Sequence, residues 1–127
     1  MREAYKEKEP YEVLEEALDL IWEREHWCQG SMLRYVTQGD SETETLAYCS
    51  LGALETIEVK DLHRRGPKFS YNGAYGAVAD VIGGDIAFFN DTHTHAEVVA
   101  VFQTAIRNEK KRAGILIPVE TPEEVAV

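Results

Sequence analysis

Between residues 10 and 25, apolar side chains recur every three or four positions at Tyr11, Leu14, Leu18, Ile21 and Trp22, with Glu12, Glu15, Glu16, Asp19 and Glu23 between them. That spacing predicts an amphipathic helix from about 10 to 25, one face in the core and the other acidic, with Pro10 suited to its first turn. After WCQG the pattern changes. MLRYVT and TLAYC are rich in β-branched and aromatic residues and flank TQGDSETE, which is full of turn formers, so a β-hairpin with an irregular loop is expected. SLGALETIEVK returns to helical period through Leu51, Leu54 and Ile57 or Glu58, predicting a second helix from Ser50 to about Lys60. HRRGPKFS reads as a basic loop, because Gly66-Pro67 cannot continue a helix. Tyr71, Tyr75, Val78 and Ile82 share the face of a third helix that Gly83-Gly84 stop. DIAFF reads as a short buried connector or strand. A last helix is expected from about 95 to 112, with Val98, Val99, Phe102, Ala105 and Ile106 inward, basic residues at its C-terminal end and Gly114 closing it. ILIPV is a candidate extra strand for the hairpin. The ends, 1–9 and 120–127, carry charge but little pattern and are expected to be flexible.

These elements define a mainly α (α+β) fold: a compact bundle of about four helices with a small β-hairpin after the first helix. A length of 127 residues, 44% hydrophobic and 28% charged, suits a single domain spanning 1–127 with a core of its own. No apolar run approaches the ~20 residues of a membrane span, and MREAYKEKEP lacks the apolar centre of a secretion signal. The expected compartment is therefore the cytoplasm. Charge narrows the choice of partner. A net charge of −10 opposes contact with phosphate backbones, so direct nucleic-acid binding is not expected. The acids are concentrated early: residues 1–62 hold 15 against 6 bases, whereas 63–112 hold 5 against 7. Cys28 and Cys49 form no C-x-x-C pair, and without a secretion signal a structural disulfide is not the default.

Three segments stand out in order: WCQG (27–30), YCSLGAL (48–54) and FNDTHTHAEVVAVFQTAI (89–106). With them the chain resembles a family of small uncharacterised proteins from actinobacteria and their bacteriophages. That family carries a W-x-x-G turn, a hairpin of variable length, C-x-x-G-A at a helix start, and W-N-D, a short turn and T-x-x-E-V opening the last helix. Phe89 stands here where the family commonly has Trp, and the turn between Asn90-Asp91 and Thr94 is shorter. The resemblance implies a helical domain of phage or actinobacterial origin and supplies no activity.

The chemistry these residues offer divides three ways. Thr94 and Glu97 have the form of a capping box, in which each side chain satisfies the other's backbone amide. Asp91 would serve the same amides or hold the preceding turn, and Asn90 tolerates turn geometry. Gly30 would turn the chain into the hairpin, and Gly52 would let the second helix lie close to a neighbour. A zinc site would draw on His93, His95, Asp91 and a cysteine, yet no second ligand pair at recognised spacing accompanies them, so no metal and no cofactor are expected. Catalysis would use Cys49 near a helix N-terminus as nucleophile, His95 as base with Asp91 or Asn90 orienting it, and Gln29 as an oxyanion donor. If the marked residues bind a ligand, Trp27, Gln29, Asn90 and Asp91 are the candidates. No phosphate-cradling loop or dinucleotide fingerprint is present in the sequence.

The expected function is that of a small acidic accessory protein that binds a host or other partner protein through its acidic first helix or hairpin loop. Two alternatives stand beside it: a cysteine-dependent hydrolase or transferase centred on Cys49 with His95 and Asp91, and an acidic nucleic-acid mimic that inhibits a DNA- or RNA-processing enzyme. The sequence does not set the oligomeric state.

Overall fold

The first helix runs where its apolar spacing puts it, but it is shorter than the pattern. A computed structural model describes residues 8–37, 44–65 and 72–115 of the chain. Helix α1 spans Pro10–Ile21 and a single 3-10 turn follows at Arg24–His26. Val13, Leu14, Ala17, Leu18 and Ile21 are buried. Trp22, expected on the same face, lies beyond the last helical residue and is 51% exposed. At the other end the Glu9 amide donates to Glu12 Oε1 at 2.8 Å, and Lys8 pairs with Glu16 at 2.8 Å, so the start of α1 is tied down by its own acids.

The hairpin consists of β1 (Leu33–Thr37) and β2 (Glu44–Tyr48), antiparallel, with Leu33 opposite Tyr48 and Tyr35 opposite Leu46. The loop predicted between them, at 38–43, lies outside the described residues. Met32 O accepts from Cys49 N at 3.0 Å, which makes Met32–Cys49 a hydrogen-bonded pair of the ladder. Bonded pairs alternate along an antiparallel ladder, so Arg34 and Val36 face β2, while Leu33, Tyr35 and Thr37 turn their N–H and C=O groups outward. The opposite edge of the sheet is partly covered: Trp27 bridges Tyr48 in parallel, and Cys28 N donates to Tyr48 O at 3.0 Å.

Helix α2 spans Ser50–Arg65, further than the expected end near Lys60, so His63, Arg64 and Arg65 belong to the helix rather than to a loop. The remainder of that basic segment, 66–70, and Tyr71, expected on the face of the third helix, lie outside the described residues, as do 1–7 and 116–127, which include most of ILIPV and the tail. Helix α3 spans Asn72–Ile82 and ends at Gly83, whose φ of 70° is left-handed backbone that glycine adopts without strain. Helix α5 spans His95–Arg112, as its spacing indicates.

Five helices, not about four, are present among the described residues. The additional one is α4, Ile86–Thr92, in the stretch read as a connector or strand. Its seven residues are too few for periodicity to separate helix from strand. A start signal is nevertheless present: Asp85 Oδ1 accepts from Phe88 N at 3.1 Å, an N-cap that follows the Gly83-Gly84 stop directly. The class is otherwise as expected, mainly helical with a small two-stranded antiparallel sheet.

All five helices contribute to one core. Leu14, Ala17 and Ile21 of α1 meet Ala53, Leu54 and Ile57 of α2, Ala74, Ala77 and Val78 of α3, Ile86 of α4, and Val98, Phe102 and Ala105 of α5. Helix α1 lies against α2 and α5, and α5 against α3. Near the C-terminal end of α5, Lys110 pairs with Glu15 at 3.0 Å and lies over the Tyr11 ring. The hairpin sits at the other end, where α1 finishes and α5 begins. Among the described residues no helix is long and apolar enough to cross a membrane.

Candidate functional site

The three marked segments converge on one side chain. Asn90, in the last turn of α4, is completely buried. Its Oδ1 accepts from Trp27 Nε1 at 2.7 Å, Ser50 N at 2.9 Å and Ser50 Oγ at 2.7 Å. Its Nδ2 donates to Cys28 O at 3.0 Å and to Asp91 Oδ1 at 3.1 Å. One amide therefore joins the 27–30 turn, the first residue of α2 and α4. Only an Asn or Gln side chain has both acceptor and donors for this, and an aspartate would lack the two N–H groups given to Cys28 O and Asp91 Oδ1.

The surrounding groups extend the same pattern. Asp91 Oδ1 accepts from Gly30 N at 2.9 Å, where the chain turns with a φ of 81°. Gln29 Nε2 donates to Asn90 O at 3.0 Å and His93 O at 2.9 Å, and Arg34 donates to Gln29 O at 2.8 Å. The amide protons proposed for an oxyanion are thus engaged by carbonyls. Asp91, expected at the amides of the last helix or holding the turn before it, reaches back across 61 residues to the hairpin turn.

Cys49 is the residue before α2. Its Sγ accepts from Gly52 N at 3.3 Å, and its carbonyl accepts from Ala53 N at 2.9 Å, so it acts as the helix N-cap. Gly52 lies directly beneath the hairpin, where an added Cβ would overlap the Met32 carbonyl oxygen. The thiol is buried, and burial pushes its pKa up despite the lowering effect of the Gly52 and Leu51 amides. Cys28 is raised by burial as well, with its Sγ within 3.5 Å of Ser31 O and 3.7 Å of Ala47 O. Both cysteines are free thiols.

Of the residues considered for catalysis, Cys49 and Asp91 line one shallow pocket of about 190 Å³ with Gly30, Met32 and Ala87. His95 lines a different groove, of about 470 Å³, with Arg24, Trp27, Gln29 and His93. Its Nε2 lies 2.7 Å from Ile21 O, which fixes that nitrogen as the protonated one, and its ring packs on Trp27. His93 stacks on Phe89 with its Nδ1 2.9 Å from Phe89 O. Among the described residues no three His, Cys, Asp or Glu side chains gather in a metal-binding set. Thr94 Oγ accepts from Glu97 N at 3.1 Å while Thr94 N donates to Glu97 Oε1 at 2.9 Å, the reciprocal box at the start of α5. The bond from the Thr94 amide holds the Glu97 carboxyl below the usual carboxylate range.

Ser50 belongs to none of the residues marked as candidates in the sequence, and Asn90, expected to tolerate turn geometry, lies in a helix. Once Asp85 caps a helix there, Ile86, Phe89 and Asn90 fall at i, i+3 and i+4, which puts Asn90 on its buried stripe.

Fold and site together define a small helical domain whose hairpin is fastened to the bundle by a buried asparagine and its neighbours. The chain belongs to the family of unknown function DUF6197, whose model matches residues 6–108 and so contains every group of this network. No curated protein and no solved structure matches it.

Proposed function

We propose that this is a small acidic accessory protein, of phage or actinobacterial origin and cytoplasmic, that works by binding a protein partner through the hairpin. The observation that carries this reading is the exposure of Leu33 (47%) and Tyr35 (67%) on one face of β1, beside exposed Met32. Large apolar side chains grouped on a short strand favour contact with another protein. The polar motif residues, by contrast, are bonded to one another, which leaves few of their groups for a ligand. The acidic face of α1 is partly engaged within the chain, since Glu12 holds the Glu9 amide, Glu15 pairs with Lys110 and Glu16 with Lys8. This favours the hairpin over α1 as the contact surface.

Affinity capture from host lysate tests the reading when the unmodified protein is compared with the double variant Leu33→Lys, Tyr35→Lys. A protein retained by the first and lost by the second supports it. Retention by both, or no specific retention at all, refutes contact through the hairpin face.

A further inference from the structure

We infer that Cys28 and Cys49 are a redox-sensitive pair, which a low-molecular-weight disulfide closes into an internal disulfide between the 27–30 turn and the start of α2. This goes beyond the binding reading and does not depend on it. The ladder sets the two residues side by side. Trp27 pairs with Tyr48 in parallel and Cys28 N donates to Tyr48 O at 3.0 Å, so Cys28 and Cys49 occupy the next position of the same pairing. Neighbouring strands lie about 4.8 Å apart, within the roughly 4.4–6.8 Å that separates the Cα atoms of a disulfide. Side chains alternate along a strand, so both thiols leave on the face opposite Trp27 and Tyr48, and both are buried there. Asn90 holds the same two segments together: its Nδ2 donates to Cys28 O at 3.0 Å, and its Oδ1 accepts at 2.9 Å from the amide of Ser50, the residue after Cys49. A thiolate at Cys49 would raise the Cys28 pKa, in keeping with that closeness.

The two thiols differ in access. Cys49 lines the pocket of about 190 Å³ with Gly30, Met32 and Asp91, whereas Cys28 is not part of that lining and its Sγ is engaged by Ser31 O and Ala47 O. A reagent therefore meets Cys49 first. The Cys49 thiolate attacks one sulfur of the reagent's S–S bond and displaces the other as a thiolate. Cys28 then gives up its proton and attacks Cys49 Sγ, which releases the second reagent thiolate. Two protein thiols become one disulfide, and the reagent takes up two electrons and two protons and leaves as two thiols. Burial holds both cysteines protonated, which keeps the exchange slow at neutral pH.

The full chain is equilibrated without oxygen in mixtures of reduced and oxidised glutathione, in buffer and in denaturing urea, then quenched in acid and read by intact mass and peptide mapping. In the folded protein the Cys28–Cys49 disulfide is expected to be enriched over single glutathione adducts by about tenfold or more relative to urea, because folding already holds the two sulfurs together. The oxidised protein is expected to unfold at a higher urea concentration than the reduced one, and to return to the reduced midpoint when dithiothreitol is added. An enrichment smaller than that, an oxidised form that unfolds at lower urea, or disulfides formed only between chains would each overturn the inference. None of these results bears on whether a partner is retained by the hairpin face, so the binding reading stands or falls on its own capture experiment.

Discussion

Asn90 is where a single atom change has the widest reach. Asn90→Ala removes the partner of the Trp27 indole, the Cys28 carbonyl and the Ser50 amide together. Buried groups left unpaired cost about 1–3 kcal/mol each, so a loss of about 3 kcal/mol or more is expected in urea unfolding. A loss under 1 kcal/mol would mean that water replaces the side chain. Cys49 behaves differently. Burial raises its thiol and that of Cys28, so the native state holds these protons more tightly than the unfolded chain. That stabilisation is complete below the ordinary thiol range, about pH 8.5, and is lost as pH rises above it. Slow alkylation of Cys49 in the folded protein at neutral pH, and a stability that falls in alkali, are the expected results. Rapid stoichiometric alkylation without unfolding would instead revive a nucleophilic role. These residue roles were only half legible. Thr94 and Glu97 announce a box through local spacing, whereas the partners of Asn90 other than neighbouring Asp91 lie 40 to 63 residues away and no local pattern encodes them.

Among the elements, the long periodic helices and the β-branched strands were readable and the short helix was not. Helix α5 follows its apolar spacing from His95 to Arg112, and the hairpin follows its β-branched runs. Helix α4 is only seven residues long, so its start depends on a capping side chain and its position on packing. The end of α1 at Ile21 was likewise invisible, because Trp22 continues the apolar pattern past the point where the chain turns. Three expectations concern the junctions between elements. Gly52→Ala presses a methyl group into the Met32 carbonyl, and since backbone must move it is expected to cost about 2 kcal/mol or more and to alter the amide spectrum of β1. A neutral result would show that the hairpin can lift off α2 freely. Thr94→Ala removes the cap of α5 and is expected to cost about 1 kcal/mol by thermal or urea unfolding. The Glu97 half of the box is lost as pH falls through the carboxylate range, because its native pKa is lowered, so amide exchange in the first turn of α5 should quicken in acid.

For the whole molecule the excess of acids matters more than any single ion pair. With 23 acidic and 13 basic residues, the folded chain repels itself. Raising sodium chloride from low ionic strength to about 0.5 M is expected to raise the urea midpoint, since screening relieves that repulsion more than it weakens exposed pairs such as Lys8–Glu16. A falling midpoint would show that the ion pairs dominate. The fold class followed from sequence because burial periodicity is local, but the closure of the hairpin against the bundle did not, because it depends on one amide meeting two distant segments. That closure also sets an order of events at the ribosome. Trp27, Cys28 and Ser50 emerge well before Asn90, so a nascent chain exposes the hairpin and α2 with polar groups still unmatched until α4 has been synthesised. This part of the domain can lock only once α4 is available, and in the interval it is open to chaperones and proteases.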